Sequence, residues 1–316
     1  MARRTALVTG GAGFIGSHLV DRLLADGWTV NVIDNLSSGR IKNILQAEKS
    51  KGFNFFEGDL CEQDQIPGAI RGCDCVFHMA ADPVIRGGFS DPGKRDSTFR
   101  NNVLATRNLL EAMVTEGTEG IVFASSSVVY GEAAEVPTPE DYGPLKPISL
   151  YGASKLAGEG LVTAYSSGFG FRYWIFRFAN VVGGRSGQGV IHDFISKLRA
   201  DEGTLKILGD GRQRKSYLHV SDCVGAMLAC MGKTGSDIFN LGTGDTLSVD
   251  ELAVIVEDEL GLQGVEHTYT GGRGGWRGDI PVTELDVGKL RAVGLRPKLN
   301  SEQAVRLATR ELAGTG

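Results

Sequence analysis

Along the first 125 residues, β-branched and aromatic positions gather into short runs at 5–9, 29–34, 53–56, 75–78 and 120–125. Between the runs, apolar residues recur at helical spacing, most clearly over 17–25. This alternation predicts strand–helix–strand units, which join parallel strands in a sheet covered on both faces. Longer helices are predicted over 91–116 and 149–167, and a sixth strand over 171–178. Ligands of such sheets bind beyond the carboxyl ends of the strands, so functional residues are expected just after each strand.

After residue 180 the alternation stops. Gly183, Gly184, Gly187 and Gly189 mark an irregular loop, and short elements without a steady period follow. The apolar run 237–241 reads as a buried strand returning to the main sheet. The predicted class is α/β. A Rossmann-type doubly wound parallel sheet is expected over 1–180, rejoined by about 217–247, and the remainder of 181–316 is expected to form a smaller mixed α/β substrate domain.

A hydrophobic content of 41% in 316 residues is enough for a large core and gives no sign of disorder. The net charge of -5 is spread without a basic stripe, so neither nucleic acid nor membrane is expected as a partner. Cys61, Cys73, Cys75, Cys223 and Cys230 are odd in number and contain no C-x-x-C pair, so neither a disulfide framework nor a metal site is signalled. Arg3 and Arg4 precede an apolar run, but Gly10, Gly11, Gly13 and Gly16 interrupt it at once, which argues against an export signal. No run approaches the roughly 20 apolar residues of a spanning helix, and a cytoplasmic enzyme is the expectation.

Ala6-Leu7-Val8-Thr9 leads into Gly10-Gly11-Ala12-Gly13-Phe14-Ile15-Gly16 and then an amphipathic stretch. Strand, glycine turn and helix in this order predict a dinucleotide site, with backbone N–H groups and the helix N-terminus facing a pyrophosphate. Asp34 ends the second strand, where a carboxylate binds the adenosine ribose 2′-hydroxyl and repels a 2′-phosphate. NAD is therefore expected rather than NADP, although Arg40 lies nearby. Asp59 and Leu60 after the third strand fit an adenine rim, and Ala80 and Ala81 after the fourth fit a close-packed floor. Ordinary loop residues would fit these four positions nearly as well.

Tyr151 and Lys155 are i and i+4 on a predicted helix and share one face. An adjacent ammonium and an oxidised nicotinamide both favour phenolate, which makes this spacing suited to a tyrosine general base. Ser125-Ser126-Ser127 end the fifth strand at the sheet edge where the site should lie. Ser126 is expected to orient a substrate oxygen toward Tyr151; a turn or helix cap is the competing role for such a serine.

Joined together, these segments resemble the extended short-chain dehydrogenase/reductase family, and within it the UDP-glucose (UDP-galactose) 4-epimerases. The resemblance runs over nearly the whole chain through TGGAGFIGSHL from Thr9, DNLSSG from Asp34, GDL from Gly58, HMAA from His78, NNVLAT from Asn101, SSSVVYG from Ser125, YGASK from Tyr151 and RFANVVG from Arg177. It implies bound NAD held by the glycine turn with Phe14 and Ile15, by Asn35, Ser37 and Gly39 beyond Asp34, and by Ser125, Tyr151 and Lys155, with Asn102 on the nicotinamide side. It also implies a UDP-sugar substrate against Ser126, Ser127, Tyr151, Asn180, Val190, Ile191, Lys215, Tyr217, Arg273 and Asp279, and a homodimer packed through 91–116 and 149–167. The implied reaction inverts C4 through a transient 4-keto sugar, with Tyr151 as the base.

Two departures affect the substrate side. Lys215 stands where the family pattern carries a diphosphate-binding arginine, with Arg214 as a possible replacement, and Trp276 stands where another arginine is usual, leaving Arg273 or Arg277 for the diphosphate. Ser126, Ser127 and Val128 replace the Thr-Asp-Glu of the family's 4,6-dehydratases, so dehydration lacks its acid and base. Uronic-acid 4-epimerases of the family tend to carry Thr where this chain has Asn180, so the resemblance implies a neutral hexose; Arg185 could pair with a uronate carboxylate, with a loop or phosphate-contacting arginine as its competing role. By the same resemblance Thr283 stands where epimerases restricted to unacetylated sugars carry a large tyrosine, which implies room for an N-acetyl group. A uronate 4-epimerase, a 4-ketosugar reductase and a nucleotide-binding protein without catalysis remain as alternatives.

Overall fold

The computed structural model describes residues 4–83 and 89–314; Arg3 lies outside them. Seven parallel strands form the main sheet: β1 (Thr5–Thr9), β2 (Thr29–Asp34), β3 (Phe53–Glu57), β4 (Cys75–His78), β5 (Gly120–Ser126), β6 (Arg172–Phe178) and, later in the chain, Asp237–Leu241. The order is β3-β2-β1-β4-β5-β6 followed by the returning strand, and every pairing is parallel. Strand order reverses between β1 and β4, where Thr9 pairs with His78, which places the binding crevice beyond these two residues.

Helices cover both faces. Leu19, Val20 and Leu23 of α1 (Phe14–Ala25) pack on one face with Val224 and Met227 of the helix Val220–Lys233. Ile70 of α2 (Pro67–Ile70), Leu109, Leu110 and Met113 of a helix at Ala105–Glu116, and Val162 of one at Leu150–Phe169 pack on the other. Both faces of the inner strands are thus buried, which is why those segments read as largely apolar runs rather than alternating ones, while edge strand β3 keeps Asn54 and Glu57 exposed.

The helix predicted over 91–116 is interrupted. It comprises α3 (Pro92–Phe99), a π-helical turn at Arg100–Leu104, and α4 (Ala105–Glu116), with Asp91 capping the start through a hydrogen bond from Gly93 N. The next helix, α5 (Leu150–Phe169), begins where Ser149 Oγ accepts from Gly152 N at 3.0 Å and ends at left-handed Gly170. Such a cap contributes about 1 kcal/mol and fixes the first turn that carries Tyr151.

Beyond β6, the chain forms β7 (Asn180–Val182), α6 (Val190–Ala200), β8 (Thr204–Ile207), β9 (Arg214–Lys215) and β10 (Tyr217–His219), then α7 (Val220–Lys233) and the returning β11 (Asp237–Leu241). It continues as β12 (Leu247–Ser248), α8 (Val249–Leu260), β13 (Glu266–Tyr269), β14 (Val282–Thr283), α9 (Gly288–Ala292) and α10 (Ser301–Ala313). Helices α6, α8 and α10 enclose a separate core around Phe194, Leu252 and Val305. Val287 and Leu290 of the α9 region pack into the core of the main sheet, so the chain returns to that layer a second time after 217–247.

Candidate active site

The glycine turn is dictated by space. Gly10 has a φ of 66°, and a Cβ there would lie 2.8 Å from Ala80 backbone atoms; one on Gly16 would lie 2.1 Å from the Gly10 carbonyl oxygen. Ala80 therefore forms the floor against which the turn closes. No side chain caps the N-terminus of α1, which leaves the first-turn N–H groups of Phe14 and Ile15 directed at the crevice. This bare, glycine-lined helix start fits the pyrophosphate of a dinucleotide.

Asp34 is 8% exposed and braces the turn: its carboxylate accepts from Ala12 N at 2.9 Å and from Leu36 N at 2.8 Å. Burial raises its pKa, and the two backbone hydrogen bonds work against that rise. Gly39 lies against its oxygens. Beyond it, Asn35 donates to Asp59 and accepts from Ser37, so the loops after β2 and β3 form one rim beside buried Leu60. Arg40 is anchored through its backbone N–H to the Ala12 carbonyl, with its guanidinium against Gly187.

Tyr151 and Lys155 share the buried face of α5. Lys155 Nζ donates to the Ala124 carbonyl of β5 at 2.8 Å and stands 5.7 Å from the Tyr151 ring centre. Burial lowers the Lys155 pKa to about 8, opposed by the Glu159 carboxylate. Tyr151 departs from the sequence expectation: burial, with Asp82 second, pushes its phenol up, so the protein groups alone hold it neutral. Asp82 has no sequence signature beyond its position just after β4.

Strand alternation separates the serines. Ser125 points to a buried ion pair, its hydroxyl donating to Glu159 Oε1 at 2.5 Å, so its side chain cannot serve the cofactor as expected. Ser126 is half-buried at the sheet edge, and its Oγ accepts weakly from Val128 N at 3.4 Å. The cap role is thus present, and because Oγ only accepts in it, the hydroxyl proton stays available to a substrate oxygen. Ser127 follows in the same turn and is buried.

Arg177 completes the ion pair, with Nε 3.0 Å from Glu159 Oε1 and Nη2 2.7 Å from Oε2. It also donates to the Tyr130 hydroxyl at 2.9 Å, which donates on to Asn240. This network was not anticipated, although Glu159 follows Lys155 by one turn and RFANVVG opens with Arg177. Nearby, Thr106 donates its proton to the Asn102 carbonyl, so it accepts from His78 Nε2 at 2.9 Å, and His78 Nδ1 accepts from Thr9 at 2.7 Å. Burial, aided by Lys155, drives the His78 pKa down to about 3, and the ring is neutral.

Asn102 sits in the π-helical turn with its amide committed: it bonds both backbone groups of Asp82 and donates to Ser154 Oγ at 2.9 Å. It frames the site rather than offering its side chain to the cofactor. Ala81 lines the same edge, half-buried.

On the substrate side, Asn180 is exposed and Val190 half-buried. Two expectations are corrected. Ile191 and Tyr217 are 3% and 1% exposed within the C-terminal core, Ile191 because it lies on the apolar stripe of α6 with Phe194, Ile195 and Leu198. Their side chains are packing residues. Lys215 pairs with Asp279 and lies 5.2 Å from the Trp276 ring centre, so Asp279 takes up its charge. Arg214 projects away, to Thr246 and Glu251, and does not replace it. Arg185 pairs with Asp21 at 2.7 Å through Nη2, while its buried Nη1 has no hydrogen-bond partner among the described residues. Arg277 stacks on Phe89, and Arg273 remains exposed.

A glycine cradle at the sheet's switch point, faced by a tyrosine and a buried lysine from one helix, defines a dinucleotide-dependent enzyme of the short-chain dehydrogenase/reductase class. The chain belongs to the NAD dependent epimerase/dehydratase family, whose model matches residues 6–242. It is 35% identical over 305 residues to a "Putative UDP-glucose 4-epimerase" of Methanocaldococcus jannaschii, covering 95% of each chain. A crystal structure of a UDP-galactose 4-epimerase superposes with a TM-score of 0.88 at 42% identity, covering 98% of this chain and 99% of that one. The UDP-glucuronic acid 4-epimerase of Bacillus cereus, solved with UDP-glucuronic acid and NAD, superposes with a TM-score of 0.90 at 26% identity, covering 99% and 100%. This is an NAD-dependent, UDP-glucose 4-epimerase-like enzyme.

Proposed function

We propose that the protein inverts C4 of a neutral UDP-hexose, interconverting UDP-glucose and UDP-galactose through a 4-keto sugar. The observation that supports this reading is the clamp of Lys155 on the Ala124 carbonyl, which ties the helix carrying Tyr151 to the strand whose carboxyl end carries half-buried Ser126. NAD bound over the glycine turn supplies a hydride acceptor and donor for C4. Tyr151 takes the proton of the 4-hydroxyl and later returns it, and Ser126 donates to the same oxygen, orienting it while its charge changes. Lys155 supplies the positive charge that offsets the burial of the phenolate.

The absence of carboxylates at Ser126, Ser127 and Val128 disfavours 4,6-dehydration. The main-sheet unit would hold the cofactor and the unit around α6, α8 and α10 the nucleotide sugar, with Asn180, Val190, Lys215, Arg273 and Asp279 nearest the substrate. The same reading places the enzyme in the cytoplasm as a homodimer. Phe99, 59% exposed within the segment 91–116 assigned to the dimer, and Phe169, 61% exposed at the end of α5 just beyond the segment 149–167, support that assembly. Among the described residues, no helix is long and apolar enough to cross a membrane.

The test is incubation of purified protein, without added cofactor, with UDP-galactose, UDP-N-acetylgalactosamine and UDP-glucuronate separately, followed by chromatography. Conversion to the 4-epimer supports retained NAD and epimerisation. Failure to convert any of them even with NAD supplied, together with consumption of NADH or NADPH against a 4-ketosugar, replaces the reading with a reductase.

A further inference from the structure

Gly184 is held from two sides at once. Its carbonyl accepts from His18 Nε2 of α1 at 2.9 Å, and its N–H donates to Glu311 Oε2 of α10 at 2.6 Å. The same Glu311 oxygen takes a second bond. His219 Nδ1 accepts from Ser221 N at 3.3 Å, so the proton of the neutral ring sits on Nε2, which donates to Glu311 at 3.2 Å. Arg185 repeats the tie to α1: its Nη2 reaches Asp21 at 2.7 Å, on the helix face that also carries His18. Its φ of 67° is left-handed, a conformation that a residue with a Cβ adopts at a cost, so the ties rather than its own preference set the backbone there. Further on, Gly187 lies against the Arg40 guanidinium. The segment 183–189 is thereby fastened to the helix of the glycine turn and, through Glu311, to the C-terminal unit.

We propose that His18 and Glu311 are positioning residues that couple the two binding sites through Gly184, so that a dinucleotide on α1 pre-orders the loop for the nucleotide sugar and the nucleotide sugar in turn secures the dinucleotide. The inference rests on the epimerase reading of the preceding section, which puts Asn180 and Val190, flanking this loop, beside the substrate. Its basis is connectivity. His18 follows Phe14 by one turn and their rings meet edge to face at 5.9 Å, so the helix start that faces the pyrophosphate and the tie to Gly184 belong to one stretch of α1. Glu311 stands in the last turn of α10, whose Ala304, Val305 and Ala308 are packed in the C-terminal core. A glycine-rich loop left untied must be ordered when the nucleotide sugar binds, and that entropy counts against affinity; a loop ordered beforehand binds more tightly. Linkage then makes the effect equal in both directions.

The experiment dialyses the holoenzyme to equilibrium against labelled NAD, with and without saturating UDP, for wild type, His18→Phe, Glu311→Met and the double variant. His18→Phe keeps a ring beside Phe14 and loses the donor; Glu311→Met keeps the chain length and loses the acceptor. UDP should tighten NAD by about fivefold or more in wild type, and that factor should fall to about one in each single variant. The two ties act in series, so the double variant should lose no more coupling than either single one. Loosened packing alone would weaken NAD equally with and without UDP and leave the factor unchanged. Where the variants convert sugar, KM for UDP-galactose should rise by about fivefold or more with kcat nearly constant, because Tyr151 and Ser126 are untouched. A factor that stays at the wild-type value in the single variants, or that is already one in wild type, overturns the inference; conversion of UDP-galactose alongside that result leaves the epimerase reading standing. Binding of NAD without any binding of UDP overturns both. Should one variant fail to fold, the other decides, since each breaks the link by itself.

Discussion

Lys155 and Glu159 lie one turn apart on α5 and clamp neighbouring residues of β5, Lys155 through the Ala124 carbonyl and Glu159 through the Ser125 hydroxyl. Arg177 then holds Glu159 from β6. The catalytic helix is thereby fixed to two strands by charge-assisted hydrogen bonds whose side chains are at most 5% exposed at the ion pair. Breaking such a pair strands a buried charge. Glu159→Gln should therefore cost about 3–5 kcal/mol in urea unfolding, and Glu159→Gln with Arg177→Met should recover part of the loss. Glu159 also raises the Lys155 pKa, so in the single variant Lys155 deprotonates at lower pH. The alkaline limb of activity should shift acidward, which a purely structural role would not produce.

Tyr151→Phe removes the base without touching the glycine turn. Conversion should fall by roughly 10²–10⁴-fold, the range for loss of a general base, while released nucleotide measured after denaturation stays at the wild-type amount. Near wild-type turnover would assign the base elsewhere.

How much of this was legible follows from what each feature depends on. The inner strands were readable because burial on both faces leaves largely apolar runs, and the glycine turn because steric exclusion at Gly10 and Gly16 leaves no other residue. The different fates of Ser125 and Ser126 follow from strand alternation, which the chain shows only once its partner residues are known. The π-helical turn at Arg100–Leu104 adds a residue to a helix without any compositional mark. Asp82 gains its meaning from Asn102, twenty positions away and in a different element. Ile191 and Tyr217 were misplaced because a residue beside a cleft and a residue beneath it look alike in sequence.

Gly16→Ala should abolish retention of NAD. Its Cβ would lie 2.1 Å from the Gly10 carbonyl oxygen and 2.9 Å from Gly11 Cα, both backbone atoms with no flexible end to yield. Gly68→Ala, where the nearest atom is 3.8 Å away, is the matched control and should retain the cofactor. The readout is nucleotide released from each purified variant; equal amounts would remove the glycine turn from the binding site.

The neutral His78 predicts an acid-sensitive fold. Its pKa is near 3 in the folded protein and 6.5 when exposed. Between those values the unfolded chain binds the extra proton, so stability falls as pH drops from about 6.5 toward 3. His78→Gln removes this linkage whatever it costs at neutral pH. The Tm of wild type should therefore decline more steeply than that of the variant between pH 6.5 and 4, and parallel slopes would show that folding does not depress the His78 pKa.

Thr283 offers a test of the sugar pocket. It pairs in register with Lys215 across the parallel strands β14 and β9, and register partners on neighbouring strands project to the same side. Lys215 extends on that side to Asp279 and toward the Trp276 ring, so Thr283 faces the region assigned to the nucleotide sugar. A threonine there leaves volume that a larger ring would fill. Thr283→Tyr should lower conversion of UDP-N-acetylgalactosamine by roughly 10–200-fold relative to UDP-galactose, the range by which a pocket rejects added bulk. Equal loss for both sugars would mean that the substitution disturbs the strand pair, and that Thr283 does not define the space for the N-acetyl group.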